Sequence, residues 1–321
     1  MLKFALLGAG RIAHRFAEAV SLVKDAEIVA VASKSMERAS SFAVKYAIPR
    51  AYDSYDAMLA DREVEAVYIA TTHNFHKENI LACLAAGKHV LCEKPMVLTE
   101  NDARECFAEA RARNLFLMEA MWSRCLPAFQ KAQKWIASGK IGEIRSVSAV
   151  IGYRTQSDAT GRIYNPDLAG GALYDIGVYP LEIVSGLINE PVQDVLFKRR
   201  NHATTGVDAN VSMIVSYPSC DACIQCMVNC APKEYTIING TMGTVEIPAS
   251  FDVRTARLYD SARNLIEQFD APYRNGFVAE VEETVRCIAN GQITSGINPP
   301  VMTIECARIF ETVLQGKTFE P

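Results

Sequence analysis

Short apolar runs alternate with amphipathic stretches through the first 120 residues. Segments 3–7, 27–32, 66–70, 88–92 and 115–118 read as strands, and 12–21, 36–46, 54–60, 75–86 and 101–113 read as helices between them. This alternation predicts βαβ units and a doubly wound parallel sheet, an α/β fold. Thr99, three residues before Asp102, supplies a capping box with a shortened acid for the helix at 101. After Trp122 the rhythm changes. A helix at 127–137 and a polar loop at 154–169 lead to a helix at 173–188. Alternating strands then fill about 190–270, and helices at 276–290 and 301–314 close the chain. Strands in succession predict an open, mostly antiparallel sheet, so this half reads as α+β. The expected domains are 1–120 and 121–321.

Composition narrows the class. The 321 residues are 50% hydrophobic and 22% charged, an ordinary globular balance. Basic residues number 33 and acidic 37, for a net charge of −4. That balance argues against a nucleic-acid or polybasic membrane surface. The longest charge-free stretch, 287–304, contains Asn, Gln, Ser, Thr and Pro299-Pro300 and is no transmembrane helix. Met1-Leu2-Lys3-Phe4 lacks a signal-peptide layout, so a soluble cytoplasmic protein is expected. Of ten cysteines, Cys220, Cys223, Cys226 and Cys230 have the spacing that ferredoxins use for an iron–sulfur cluster. Alternation across Asp221–Cys230 argues otherwise: on one strand, Cys223 and Cys226 point to opposite faces. Pro232 also stands one residue later than the ferredoxin run requires. The expected reading is a hairpin carrying small apolar thiols, with no metal.

The first strand enters Gly8-Ala9-Gly10-Arg11-Ile12-Ala13, a G-x-G-x-x-A run between strand and helix. Gly8 permits the tight turn, Gly10 lets backbone approach a pyrophosphate, and Ala13 allows close helix–strand packing. The anion would sit at the helix start, on the N–H groups that open with Arg11 and Ile12. An NAD binder places an acid at the end of the second strand, on the ribose 2′-hydroxyl. Here that end reads Val31-Ala32-Ser33-Lys34-Ser35-Met36-Glu37-Arg38. Ser33, Lys34 and Arg38 suit a 2′-phosphate, so the reading favours NADP, with NAD as the alternative.

Strand 88–92 leads into Glu93-Lys94-Pro95, which places Lys94 at the carboxyl edge where ligands bind in such sheets. A cis bond before Pro95 is expected in this turn. Gly170-Gly171-Ala172-Leu173-Tyr174-Asp175-Ile176-Gly177-Val178-Tyr179 puts Asp175 and Tyr179 four apart on one helical face. Oxidising an alcohol removes a hydride from carbon and a proton from oxygen. A tyrosine that accepts the proton does so as phenolate, and needs its pKa moved from about 10 towards 7, roughly 4 kcal/mol. One ammonium about 4 Å away supplies about that much at an effective dielectric near 20. Lys94 and Tyr179 are therefore the candidate pair, with Asp175 orienting Lys94 or a substrate hydroxyl.

G-x-G-x-x-A, Glu93-Lys94-Pro95 and Gly-Gly-Ala-Leu-x-Asp-Ile-Gly, in that order, resemble the Gfo/Idh/MocA oxidoreductases from end to end. The likeness is strongest to the dimeric dihydrodiol dehydrogenase and NADP-dependent D-xylose dehydrogenase branch. It is carried by Leu91-Cys92-Glu93-Lys94-Pro95-Met96, by Phe116-Leu117-Met118-Glu119-Ala120-Met121-Trp122-Ser123-Arg124, and by Thr205-Gly206-Val207-Asp208. Much of the family has His where this chain has Tyr179, and this branch has Tyr. The resemblance implies Lys94 and Tyr179 as the catalytic pair with Asp175 beside them. It implies that Thr71, Thr72, His73, Asn74 and His76, with Glu93, line the cofactor, although Thr72 stands where the family commonly has Pro. It implies a sugar or vicinal-diol substrate and a homodimer or higher homo-oligomer through the second domain's sheet. Trp122, Arg124, Tyr153 and Phe277 are the expected substrate-pocket residues, since aromatics suit sugar faces. Two other activities within the resemblance are a glycoside hydrolase with transient NAD redox and a non-catalytic dinucleotide sensor.

Overall fold

The computed structural model describes residues 1–320. Its first part runs β1 (Leu2–Leu7), α1 (Arg11–Val20), β2 (Ala26–Ala32), α2 (Met36–Tyr46), β3 (Arg50–Tyr52), α3 (Tyr55–Leu59), β4 (Ala66–Ile69), α4 (His76–Ala85), β5 (His89–Glu93), α5 (Glu100–Ala112) and β6 (Leu117–Ala120). Next come α6 (Trp122–Cys125), α7 (Pro127–Ala137), β7 (Ile144–Gly152) and α8 (Val178–Ile188). The remainder is β8 (Asp194–Asn201), β9 (Asp208–Ser216), β10 (Asp221–Met227), β11 (Tyr235–Gly240), β12 (Gly243–Ile247), β13 (Thr255–Asp260), β14 (Leu265–Asp270), α9 (Phe277–Ala289) and α10 (Pro300–Gln315).

These elements form two compact units. The first gathers Met1–Val97, Asn101–Trp122 and Arg274–Pro300; the second gathers Leu98–Glu100, Ser123–Tyr273 and the residues from Val301 onward. A single cut near 120 does not describe this division, because α9 returns to the first unit. There Asn275 Nδ2 donates to Arg15 O at 2.8 Å, and Leu117 N donates to Ile293 O at 3.1 Å. The apolar stripe of α9 is plain in the sequence, but helical periodicity does not say which sheet it meets.

The first unit holds six strands in the order β3-β2-β1-β4-β5-β6, all parallel. Phe4, Leu6, Phe16, Tyr68 and Ile80 are fully buried around it, and Phe16 stacks on Tyr68 with ring centroids 3.7 Å apart. Strand β3 was not expected. It is a three-residue edge strand, too short to show alternation. Strand β6 begins at Leu117 rather than 115. Asn114 takes a left-handed conformation, and Leu115 N bonds back to Ala110 O, so those residues finish α5.

The second unit holds eight strands in the order β14-β13-β12-β11-β7-β10-β9-β8. Only the β7–β10 pair is parallel. Strand β7 was missed, although it lies inside the sheet. Its inward Ile144, Val147, Ala149 and Ile151 are interleaved with small serines that mute the contrast. Every residue of α8 is buried, so its apolarity is that of a core helix. Its anchor is charged: Arg124 and Glu182 are each 2% exposed, with Nη1 3.2 Å from Oε2. The expected helix over 173–188 begins as a π-helical turn, Leu173–Gly177, and becomes α-helical only at Val178. The thiols behave as alternation predicts: on β10, Cys223 is exposed and Cys226 buried.

Candidate active site

Parallel register lines up the carboxyl ends of the first sheet. Leu7 pairs with both Ala32 and Ile69, and Ile69 pairs with Cys92. The turns that follow therefore leave from one edge, carrying Gly8, Ser33, Thr71 and Lys94.

Gly8 has φ +105°, and its N–H donates to Ala32 O at 2.9 Å. A Cβ there would stand 3.1 Å from Ala70 O, so conformation and space both demand glycine. Gly10 begins α1 with no side-chain cap and no acid in the first turn. A Cβ on Gly10 would meet only Ala70 O, at 3.9 Å. Protein packing thus leaves room beside Gly10 at the start of α1, which fits a pyrophosphate at a helix N-terminus. Ala13 is fully buried, as close helix–strand packing requires. At the end of β2, Ser33 is buried and its N–H donates to Tyr52 O at 3.0 Å. Lys34 and Arg38 are exposed, and Ser35 Oγ caps α2 by accepting from Arg38 N at 3.4 Å.

After β4, Thr72 Oγ1 donates to Asn74 Oδ1 at 2.8 Å, and Asn79 Nδ2 donates to Thr71 Oγ1 at 3.1 Å. His73 is buried with its ring edge-on to His76, 5.7 Å away. His76 does not line an outer surface. It is fully buried, with Nδ1 2.9 Å from Pro95 O and Nε2 3.1 Å from Thr71 O. Burial lowers its pKa, against the pull of those carbonyls. The ring braces the Lys94 turn against the Thr71 turn.

Glu93 also faces inward. It accepts from the Tyr68 hydroxyl through Oε1, and from Lys94 N through Oε2 at 3.1 Å. The Lys94–Pro95 bond is cis, as expected. Met96 N donates to Glu119 Oε1 at 2.8 Å. Lys94 thus stands on a turn held by His76, Glu93 and Glu119, the last two visible in the sequence only as parts of a motif. Deeper lies Glu280 of α9, which sequence reasoning missed. It is 0% exposed, and neither carboxyl oxygen has a hydrogen-bond partner among the described residues. Burial first, and then the charge of Glu93, pushes it well above the usual carboxylate range, against the pull of Arg15. A neutral acid is the form this position favours. Burial also raises Glu93, while Lys94 and Tyr68 pull it down.

In the second unit the glycine pair is explained by crowding. A Cβ on Gly170 would stand 2.6 Å from the carbonyl oxygens of Arg162 and Ile163, and one on Gly171 (φ +120°) would stand 2.1 Å from Asp208 Oδ1. Asp208 Oδ2 accepts from Leu173 N at 2.7 Å and so caps the turn that leads into α8. Burial lifts Asp208 to about 6, opposed by the amide hydrogen bonds. Asp175 accepts from the Tyr153 hydroxyl at 2.5 Å and pairs with Arg162 Nη2 at 2.5 Å. Arg162 was not anticipated; it sits in a polar loop where nothing in the pattern distinguishes it. Tyr179 is largely buried, its ring 5.7 Å from that of Phe251. Gly177, between the two candidates, would place a Cβ 2.8 Å from Cys226 Sγ, which accounts for that buried thiol.

The four expected substrate residues divide between the units. Tyr153 is joined to a catalytic candidate, Asp175. Trp122 and Phe277 are buried in the first unit with rings 5.5 Å apart, and the Arg15 guanidinium lies over both. Arg124 is buried and paired with Glu182.

Residues 2–121 match the Gfo/Idh/MocA oxidoreductase family model with its NAD-binding Rossmann fold, and 129–246 match that family's C-terminal domain. A trans-1,2-dihydrobenzene-1,2-diol dehydrogenase of Xenopus laevis is 31% identical over 97% of this chain and 96% of its own. The chain belongs to the Gfo/Idh/MocA oxidoreductase family. Among solved structures, the 3-ketoreductase KijD10 of Actinomadura kijaniata, in complex with NADP and TDP-benzene, superposes with a TM-score of 0.86 at 26% identity, covering 98% of this chain and 97% of that one. The aldose-aldose oxidoreductase of Caulobacter crescentus shares the fold, with a TM-score of 0.90 at 24% identity over 100% and 99% of the two chains.

Glu280 makes pH a probe of this family member's interior. A carboxyl whose folded pKa exceeds its unfolded value costs nothing at low pH. It costs stability progressively as pH rises above the unfolded value, until the folded value is passed. Gln does not titrate. The melting temperature of Glu280→Gln should therefore rise relative to wild type between about pH 5 and pH 9. A difference that stays flat with pH, like that of a Glu282→Gln control, would mean an ordinary ionised Glu280.

Proposed function

We propose that this oxidoreductase is an NADP-preferring dehydrogenase moving a hydride between the nicotinamide and a CH–OH carbon of a sugar or vicinal diol. The observation that carries the reading is the shared carboxyl edge: one register delivers the Gly8–Gly10 anion turn, the acid-free end of β2 and Lys94. The relative named as a diol dehydrogenase supports the substrate class, and the 3-ketoreductase solved with NADP supports the cofactor.

A bound nicotinamide dinucleotide supplies the hydride acceptor or donor. In the oxidative direction Tyr179 takes the hydroxyl proton as the carbon gives up its hydride. Lys94 favours, by its positive charge, the phenolate form of Tyr179 that accepts this proton, and the tyrosine ends the step as a neutral phenol. Asp175, fixed by Tyr153 and Arg162, presents a carboxylate of set orientation for the ammonium or for a second substrate hydroxyl. Ser33, Lys34 and Arg38 take the 2′-phosphate.

We also place the chain in the reducing cytoplasm, where an exposed thiol such as that of Cys223 persists. Fractionation that recovers it with membranes or in a secreted fraction would contradict that. A homodimer through the second sheet completes the reading. On that face Leu196, Ile214 and Cys223 lie side by side and exposed, flanked by Ser148. Ile214→Lys should shift the sedimenting species from dimer to monomer, and an unshifted species excludes this face as the interface.

A panel of aldopyranoses and trans-dihydrodiols, followed by nicotinamide absorbance with each cofactor, tests the activity. Turnover of one of these classes with NADP⁺ is expected, and Ser33→Asp should move the NADP⁺/NAD⁺ ratio of kcat/KM towards NAD⁺ by about tenfold or more. No turnover of either class refutes the substrate assignment, and an unmoved ratio refutes the cofactor assignment.

A further inference from the structure

Phe75 is an exposed aromatic with an unusual neighbour. It closes the 3₁₀ turn His73–Phe75 after β4 and is 38% exposed. The Lys34 ammonium, on the turn after β2, lies 4.9 Å from its ring centroid. Strands β2 and β4 flank β1 on either side. The Lys34–Phe75 contact therefore joins the two turns that border the Gly8–Gly10 anion turn. A lone exposed Phe needs no explanation, but one held by a cation at a ligand-binding edge does.

We infer that Phe75 is the platform on which the adenine of the dinucleotide stacks, with Lys34 serving both its ring and the 2′-phosphate. This rests on the cofactor reading above and names the residue that holds the base. The ribose whose 2′ position is read at the end of β2 is the one that bears adenine. An aromatic ring touching Lys34 therefore lies within one side chain's reach of that base. Adenine presents a flat π-face, and Phe offers a matching face with no hydrogen bonds to satisfy. Lys34 can keep its stem against the ring while its head turns to an anion. Charge and stacking thus select for the adenosine end and leave the nicotinamide end untouched.

Calorimetric titration of the full chain with 2′,5′-ADP, NADP⁺, NAD⁺ and nicotinamide mononucleotide tests this without any turnover. Phe75→Ala should weaken 2′,5′-ADP, NADP⁺ and NAD⁺ alike, by about tenfold. It should leave nicotinamide mononucleotide unchanged, and Phe75→Trp should keep wild-type affinity. Lys34→Ala should weaken NADP⁺ and 2′,5′-ADP but spare most of the NAD⁺ affinity. If Phe75→Ala binds 2′,5′-ADP as tightly as wild type, or loses the mononucleotide equally, the platform is elsewhere. A wild-type chain that prefers NAD⁺ would overturn the 2′-phosphate role of Lys34 and leave the stacking result to stand by itself. A chain that binds none of these ligands would overturn both.

Discussion

Parallel strand register is the constraint on which the candidate chemistry depends. In a parallel sheet every strand points the same way, so every following turn leaves from the same edge. Leu7, Ala32, Ile69 and Cys92 share one row, and the groups that follow them carry the site. The strands themselves are buried and apolar. The edge can therefore hold polar groups without compromising the core beneath it.

Holding those groups still requires buried polar braces. Glu93 and His76 turn inward and satisfy backbone groups on either side of Lys94, which fixes the turn that carries the lysine. The second unit uses crowding for the same end. Gly170 and Gly171 let a loop and the Asp208 carboxylate press onto the chain, and Asp208 caps the segment that bears Asp175 and Tyr179. In both units the residues nearest the proposed chemistry are positioned by neighbours that hydrogen-bond backbone, as Glu93, His76 and Asp208 do, or the side chain itself, as Tyr153 and Arg162 hold Asp175.

Much of this was legible in the sequence because it has a period or a fixed spacing. The βαβ alternation, the glycine fingerprint, the cis Pro95 turn and the opposite faces of Cys223 and Cys226 all follow from local rules. What escaped depends on long-range packing. β3 is too short to alternate, and β7 hides its pattern behind Ser146 and Ser148. The return of α9 to the first unit, and with it Glu280 and the burial of Phe277, has no local signature. Arg162 lies in an irregular loop, where only the fold reveals its pairing with Asp175. The burial of Arg124 is likewise set by a distant partner, Glu182, 58 positions away.

The central claim is that the carboxyl edge of the first sheet grips a dinucleotide through the bare backbone at Gly10. Calorimetric titration of Gly10→Ala with NADP⁺ tests it most directly, because the added methyl meets only Ala70 O at 3.9 Å and has an ordinary extended backbone, φ −86° and ψ −177°. The account predicts a folded chain of near wild-type stability whose affinity for NADP⁺ falls by about tenfold or more, the methyl occupying the space of the pyrophosphate. A Gly10→Ala chain that binds NADP⁺ as tightly as wild type would contradict it.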